Sequence, residues 1–364
     1  MERKIELTYA RGIFCIMVVF VHAITGYLID LLISTTQTVE KRLVGFFQIS
    51  LLCATPCFIM LSETLLGLRY STFIPKNFLV KRAKYILVPY VILGVYVTCD
   101  KFMNSQNKES FWNLFKFIVL EGNFFGWFII VIFQFFILHK IFYKVLNKSN
   151  PLFLLAGSLI ISALHSYFMY FNQDYHKWWE TYYPLYPRTI ILYWLFYFIV
   201  GFYVGKYYDL IFEFIKRNIW ILFSAWILAL TYLAFNFFHL KIFLNESLRF
   251  DLLIYSCLSF LLVIYGAKFI SRFHITMLYL ISEISFFIYL AHQIIIKYIS
   301  LALSSFVTHP IIYIFISVIF TIGFCIGLAI MLSFIPYVRI IVGRNTLYPM
   351  VLNNYGLKQE AKES

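Results

Sequence analysis

Two histidines stand in segments apolar enough to cross a bilayer: His22, eleven residues after Arg11 in RGIFCIMVVFVH, and His292, which closes SFFIYLAH. Ionisable groups at membrane depth are costly and rare, and they mark proton relays, substrate paths and reaction centres. An imidazole in such a place can serve as general base or acid near neutral pH. It can equally act as a hydrogen-bonding contact between helices. Two histidines at matching depth, one of them coaxial with an arginine, favour a shared polar cavity.

Helix geometry says which residues can join them. At 100° per residue Arg11 and His22 return to nearly the same face, roughly 16 Å apart along the axis. Ser285, Tyr289 and His292 share a face by i, i+4, i+7 spacing. Glu63 and Glu283 lie near the ends of apolar runs, and Arg11, Arg82 and Lys84 are their expected partners, because intramembrane charges pair or face water. Glu63, Glu283, Ser285, Tyr289 and His292 thus make a supporting polar cavity. The plainer alternatives are topology signals for Arg82 and Lys84, simple ion pairing for the acids, and helix packing for Ser285 and Tyr289.

The stretch NQDYHKWWETYYPLYPR, residues 172–188, sets Trp178 and Trp179 beside Asp174, His176 and Glu180. Aromatic residues at a bilayer boundary form an interfacial belt. The same mixture of rings and polar groups suits a glycan, whose C–H faces stack while its hydroxyls need hydrogen bonds.

The elements that must position these residues are membrane helices. The chain is 62% hydrophobic and 13% charged, against roughly 45–50% and 25% in soluble domains. A hydrocarbon core about 30 Å thick needs about 20 apolar residues of helix. Runs of that length predict ten spans, near 11–33, 43–66, 78–99, 124–146, 151–171, 188–207, 219–240, 250–270, 278–300 and 309–335. The segment 111–120 reads as an amphipathic interfacial helix. The fold class is therefore all-α and polytopic, with one membrane domain over 1–350 and a polar cytoplasmic tail at 351–364.

Orientation follows from the basic residues, which favour cytoplasmic loops. With the N-terminus inside, the inner side holds 20 of the 30 lysines and arginines, and both termini are cytoplasmic. That asymmetry, with the pull of anionic lipid on juxtamembrane cations, accounts for the net charge of +13 without nucleic acid. The first apolar run is longer than a signal-peptide core and lacks a small-residue cleavage site, so it reads as a retained helix. The six cysteines fall mostly in apolar runs, and no zinc-like spacing accompanies Cys53 and Cys57. No metal site is expected.

Several of these segments, taken in order, resemble the acyltransferase 3 family of membrane proteins. Its first helix carries Arg-Gly followed by apolar residues and His, matched by Arg11, Gly12 and His22. Its FF-x-LSG pattern is similar to CFIMLSE, where Glu63 replaces Gly. A basic stretch leading to Pro-Tyr matches Lys81 to Tyr90. GWF at 126–128, Phe198 with Gly201 and Gly205, and S-F-x-x-Y-L-x-H from Ser285 to His292 complete the set. The matches run from residue 11 to residue 292.

The resemblance implies acyl-transfer chemistry with His22 catalytic and Arg11, Arg82 and Lys84 binding the acyl donor. It implies acyl-CoA as donor substrate, with no tightly bound cofactor. Within the family, TPCFIMLS, KYILVPY, FFGWFIIVIFQFFIL, YYPL and ISEISFFIYLAH are similar to proteins of the intercellular-adhesin biofilm locus. That likeness implies succinyl-CoA as donor and poly-β-1,6-N-acetylglucosamine as acceptor. It also implies a bacterial cell-membrane location and a membrane glycosyltransferase as partner. It leaves an alternative, export of the same polysaccharide without acyl transfer.

Overall fold

A computed structural model describes residues 4–31, 39–104, 109–242, 246–304, 306–307 and 309–335. The tail expected at 351–364 lies outside the described residues. Within them the chain is helical and has no strand. Ten helices are long and apolar enough to span a membrane: α1 Ile5–Leu28, α2 Val39–Tyr70, α3 Phe78–Asn104, α4 Trp127–Lys148, α5 Pro151–Phe171, α6 Pro187–Lys206, α7 Ile219–Phe238, α8 Leu252–Phe273, α9 Ser285–Leu303 and α10 Pro310–Ser333. The protein is a multi-pass membrane protein. The interfacial segment is a short helix over Phe111–Leu120.

Two expectations need correction. Helix α1 begins at Ile5, so Arg11 lies inside the helix and not at its end. The span expected over 278–300 is broken: a short helix Thr276–Glu283 stops at Ile284 (φ −101°, ψ 11°), and α9 begins at Ser285. Glu283 therefore closes one helix while Ser285, Tyr289 and His292 lie on the next.

Proline explains two other irregularities. A proline inside a helix offers no N–H and its ring crowds the carbonyl four residues back. Pro89 does this to Tyr85, and the residues before it, Ala83–Leu87, form a π turn in which the Val88 N–H reaches back to the Ala83 carbonyl. The π turn follows directly on Arg82 and contains Lys84. Pro56 has the same relation to Leu52, where α2 is interrupted between Leu51 and Ala54.

The chain forms two compact units, Gly45–Phe269 and Met1–Val44 with Ile270–Ser364. In the first, α6 is 72% buried and forms the centre. It crosses α2 closely because both helices present glycine: a Cβ at Gly205 would lie 2.3 Å from the Thr64 carbonyl oxygen, and one at Gly67 would lie 2.6 Å from that of Phe202. Small residues at this spacing let backbones approach in lipid, where helices associate by packing and not by the hydrophobic effect.

In the second unit α1 is central and 67% buried, packed by Thr276–Glu283, α9 and α10. Gly12 receives Leu278 and Gly26 faces Ser300, so α1 meets both neighbours through its small residues. Phe20 with Phe315 and Tyr27 with Tyr313 pack α1 against α10. Outward side chains such as Ile319, Phe320 and Phe324 are large, apolar and exposed, as a lipid-facing surface requires.

Candidate active site

The two histidines singled out in the sequence meet. The rings of His22 and His292 lie 4.9 Å apart, centre to centre, tilted by 52°. Their contact follows from the crossing at Gly26, one turn along α1 from His22, which abuts Ile296 and Ser300 on the stripe of α9 that begins at His292.

The surroundings of the two rings differ. His292 is 1% exposed, and its Nδ1 lies 2.9 Å from the Ile288 carbonyl oxygen. A carbonyl only accepts, so Nδ1 carries the proton and Nε2 is left with its lone pair. That Nε2 is buried and has no hydrogen-bond partner. His22 is half-buried. The side-chain amide nitrogen of Gln293 lies 3.2 Å from its Nε2 and 3.4 Å from its Nδ1, and donates to the ring. The pair thus combines a reachable imidazole with a buried one locked in a single tautomer.

Tyr289 packs on His292 with ring centres 5.9 Å apart. Ser285 is buried at the first turn of α9, and Glu283 is half-buried beyond the break. Arg11 lies on the His22 face of α1, three turns nearer the N-terminus, and is half-buried. Gln293 was missed, although a Gln beside a His in an apolar run is itself a polar signal.

In the unit Gly45–Phe269, Glu63 is fully buried, and its partner is His139, not the Arg11, Arg82 or Lys84 expected for it. His139 Nδ1 lies 2.6 Å from Glu63 Oε1, and both side chains are 0% exposed. His139 Nε2 faces the Tyr70 carbonyl at 3.3 Å, which fixes a proton on that nitrogen. A second proton is therefore shared between Nδ1 and the carboxyl group. Glu63 Oε2 has no partner. His139 was not anticipated.

Arg82 packs its guanidinium over Phe78 and Phe136, 5.5 and 5.1 Å from the ring centres. Phe78 in turn packs on His139. Lys84 is exposed, its ammonium 5.9 Å from the Tyr85 ring. Trp178 and Trp179 lie on the amphipathic helix Gln173–Tyr182 and behave differently. Trp178 is 53% exposed, whereas Trp179 is packed against His165, Tyr175 and Tyr183.

The comparisons with known proteins agree with the resemblance noted in the sequence. The acyltransferase 3 model, an acyltransferase domain, matches residues 4–330. A Staphylococcus aureus (strain MSSA476) protein named "Probable poly-beta-1,6-N-acetyl-D-glucosamine export protein" is 31% identical over 358 residues, which cover 97% of this chain and 99% of that protein. A Staphylococcus epidermidis protein of the same name is 30% identical over 363 residues, 97% of this chain and 98% of that one. No solved structure matches the chain. A match over nearly all the membrane helices, with relatives matched along nearly their full length, means that the chain belongs to the acyltransferase 3 family.

Proposed function

We propose that this protein O-acylates poly-β-1,6-N-acetylglucosamine in the bacterial cell membrane as the polymer is made or exported, with acyl-CoA as donor and succinyl as the acyl group. The observation that carries the reading is the His22–His292 pair, in which the buried ring keeps a lone pair on Nε2. The family match supports the reaction class, and the names of the relatives supply the polymer.

In this reading His22 touches substrate, because it is only half-buried whereas His292 is buried. The acceptor hydroxyl oxygen attacks the thioester carbonyl carbon while His22 takes the hydroxyl proton. The C–S bond breaks, and the departing thiolate takes that proton back from the imidazolium. The products are an ester and free CoA. His292 is a positioning residue: its Nε2 accepts from the imidazolium N–H and stabilises the charge formed on His22 in transit. Tyr289 and Ser285 line the same face.

Arg11, Arg82 and Lys84 hold the donor, whose phosphates and carboxylate need charge-assisted hydrogen bonds. Arg82→Ala and Lys84→Ala are expected to raise the KM for acyl-CoA several-fold with little change in folding. A donor titration with the purified variants checks this, and unchanged KM values in both would leave these residues as topology signals. The membrane glycosyltransferase that makes the polymer is the partner this role requires.

The orientation in this reading has both termini in the cytoplasm, supported by the 20-to-10 division of basic residues. Cysteines placed in the 172–188 segment should then react with impermeant reagents from outside the cell. Reaction only from the cytoplasmic side would reverse the topology.

A second reading is favoured by the relatives' names: the protein exports the polymer, and His22 and His292 line its path. The two readings part on whether loss of the His22 imidazole changes the polymer's chemistry or its location.

A further inference from the structure

At the end of the unit Gly45–Phe269 where α5 finishes and α6 begins, a cavity of about 190 Å³ is lined from both helices, by His176 of the helix Gln173–Tyr182, and by Ile242, Glu246, Leu248, Arg249 and Phe250. Its wall combines rings with hydrogen-bonding groups: Tyr170, Tyr193 and Phe250 beside His176, Glu246 and Arg249. It shares none of its residues with the histidine pair. We infer that this cavity is a saccharide subsite that holds one uncharged sugar unit of the acceptor polymer, an inference that rests on the proposed function for the identity of the sugar.

Three features point to that ligand class. The first is preorganisation. Arg249 is 3% exposed and is held by Asp251 through Nε to Oδ1 at 2.8 Å and by the Ile242 carbonyl at 2.7 Å. Asn236 fixes Asp251 in turn, at 2.8 Å. Polar groups held in place before binding discriminate ligands without the cost of ordering them.

The second is charge. Arg249 is balanced by Asp251, and Arg188 by Glu246. A site for CoA phosphates needs a cationic excess, which is absent among the described residues of this one. A neutral polyhydroxylated ring needs donors and acceptors together, and both are present. The third is size: drug-sized ligands occupy roughly 300–1,000 Å³, so this cavity accommodates a single sugar unit.

Trp178 lies on the same helix as His176, two residues on and so roughly 200° around it, and its ring is tilted by 47° to that of Tyr182, 5.5 Å away. The half-buried ring of Trp179 packs against His165, Tyr175 and Tyr183.

The full chain in lipid nanodiscs, probed with a short β-1,6-linked N-acetylglucosamine oligomer by saturation-transfer NMR and titration, tests the assignment. Tyr170→Ala and Phe250→Leu should each weaken oligomer binding by about tenfold, the scale of losing a ring contact. Binding within twofold of the unaltered protein in both folded variants overturns the subsite, as does a phospholipid headgroup found seated in the cavity. Acyl transfer with unchanged acceptor KM in both variants sinks the subsite and leaves the proposed reaction standing. Oligomer binding that depends on Tyr170 in a protein that transfers no acyl group leaves the subsite standing and removes the reaction.

Discussion

His22→Ala is expected to lower the rate of acyl transfer to a β-1,6-linked N-acetylglucosamine oligomer by about 10²–10⁴-fold, the range for loss of general acid–base catalysis. The variant should insert and fold normally, because His22 is half-buried and the close packing of α1 runs through Gly12 and Gly26. The neighbouring ring gives a sharper result. His292 contributes an acceptor at Nε2, and a Gln side chain places its amide oxygen near that position while Asn does not. His292→Gln should therefore keep a substantial part of the activity that His292→Asn loses. Equal losses in the two would assign His292 to packing alone.

The second large effect concerns stability. Glu63 and His139 share a proton in a site from which water is excluded, 2.6 Å apart. Removing one partner of a buried pair costs about 3–5 kcal/mol, because the other group is left buried without compensation. Glu63→Ala and His139→Ala should each lower the thermal unfolding midpoint in detergent markedly. Replacing both with apolar residues of similar size, Glu63→Met with His139→Phe, should recover much of the loss, since such replacements are often neutral. Single variants that unfold at the midpoint of the unaltered protein would contradict the burial argument.

The helices and the histidine pair were legible for one physical reason. Lipid leaves a spanning backbone only the helix or the closed barrel, and runs of about 20 apolar residues select the helix, so apolar run length and the 3.6-residue period carry both the fold and the faces. His22 and His292 stand out because little else in their segments is ionisable. The break at Ile284 was not legible, since no proline or glycine marks it. The Pro89 ring explains the π turn after Arg82, but only the backbone shows how it was absorbed.

Pairing between helices distant in sequence was the main loss. Opposite charge directed Glu63 to arginine and lysine, yet the crossing of α2 with α4 supplied a histidine 76 residues away. His139 had been hidden among the basic residues near the end of α4. The saccharide cavity was less accessible still, because it gathers Tyr170, Tyr193 and Glu246 from three segments. The sequence indicated one part of it, through His176 in the 172–188 segment.

Acyl transfer alters the polymer's chemistry, whereas export alters only its location. The most direct measurement is the acyl content per sugar, and the location, of polymer from cells carrying His22→Ala in place of the unaltered protein. Polymer at the cell surface with its acyl groups lost is the expected result. A stably inserted variant that strands polymer inside the cell, while the exported fraction keeps its normal acyl content, would contradict acyl transfer and assign the protein to export.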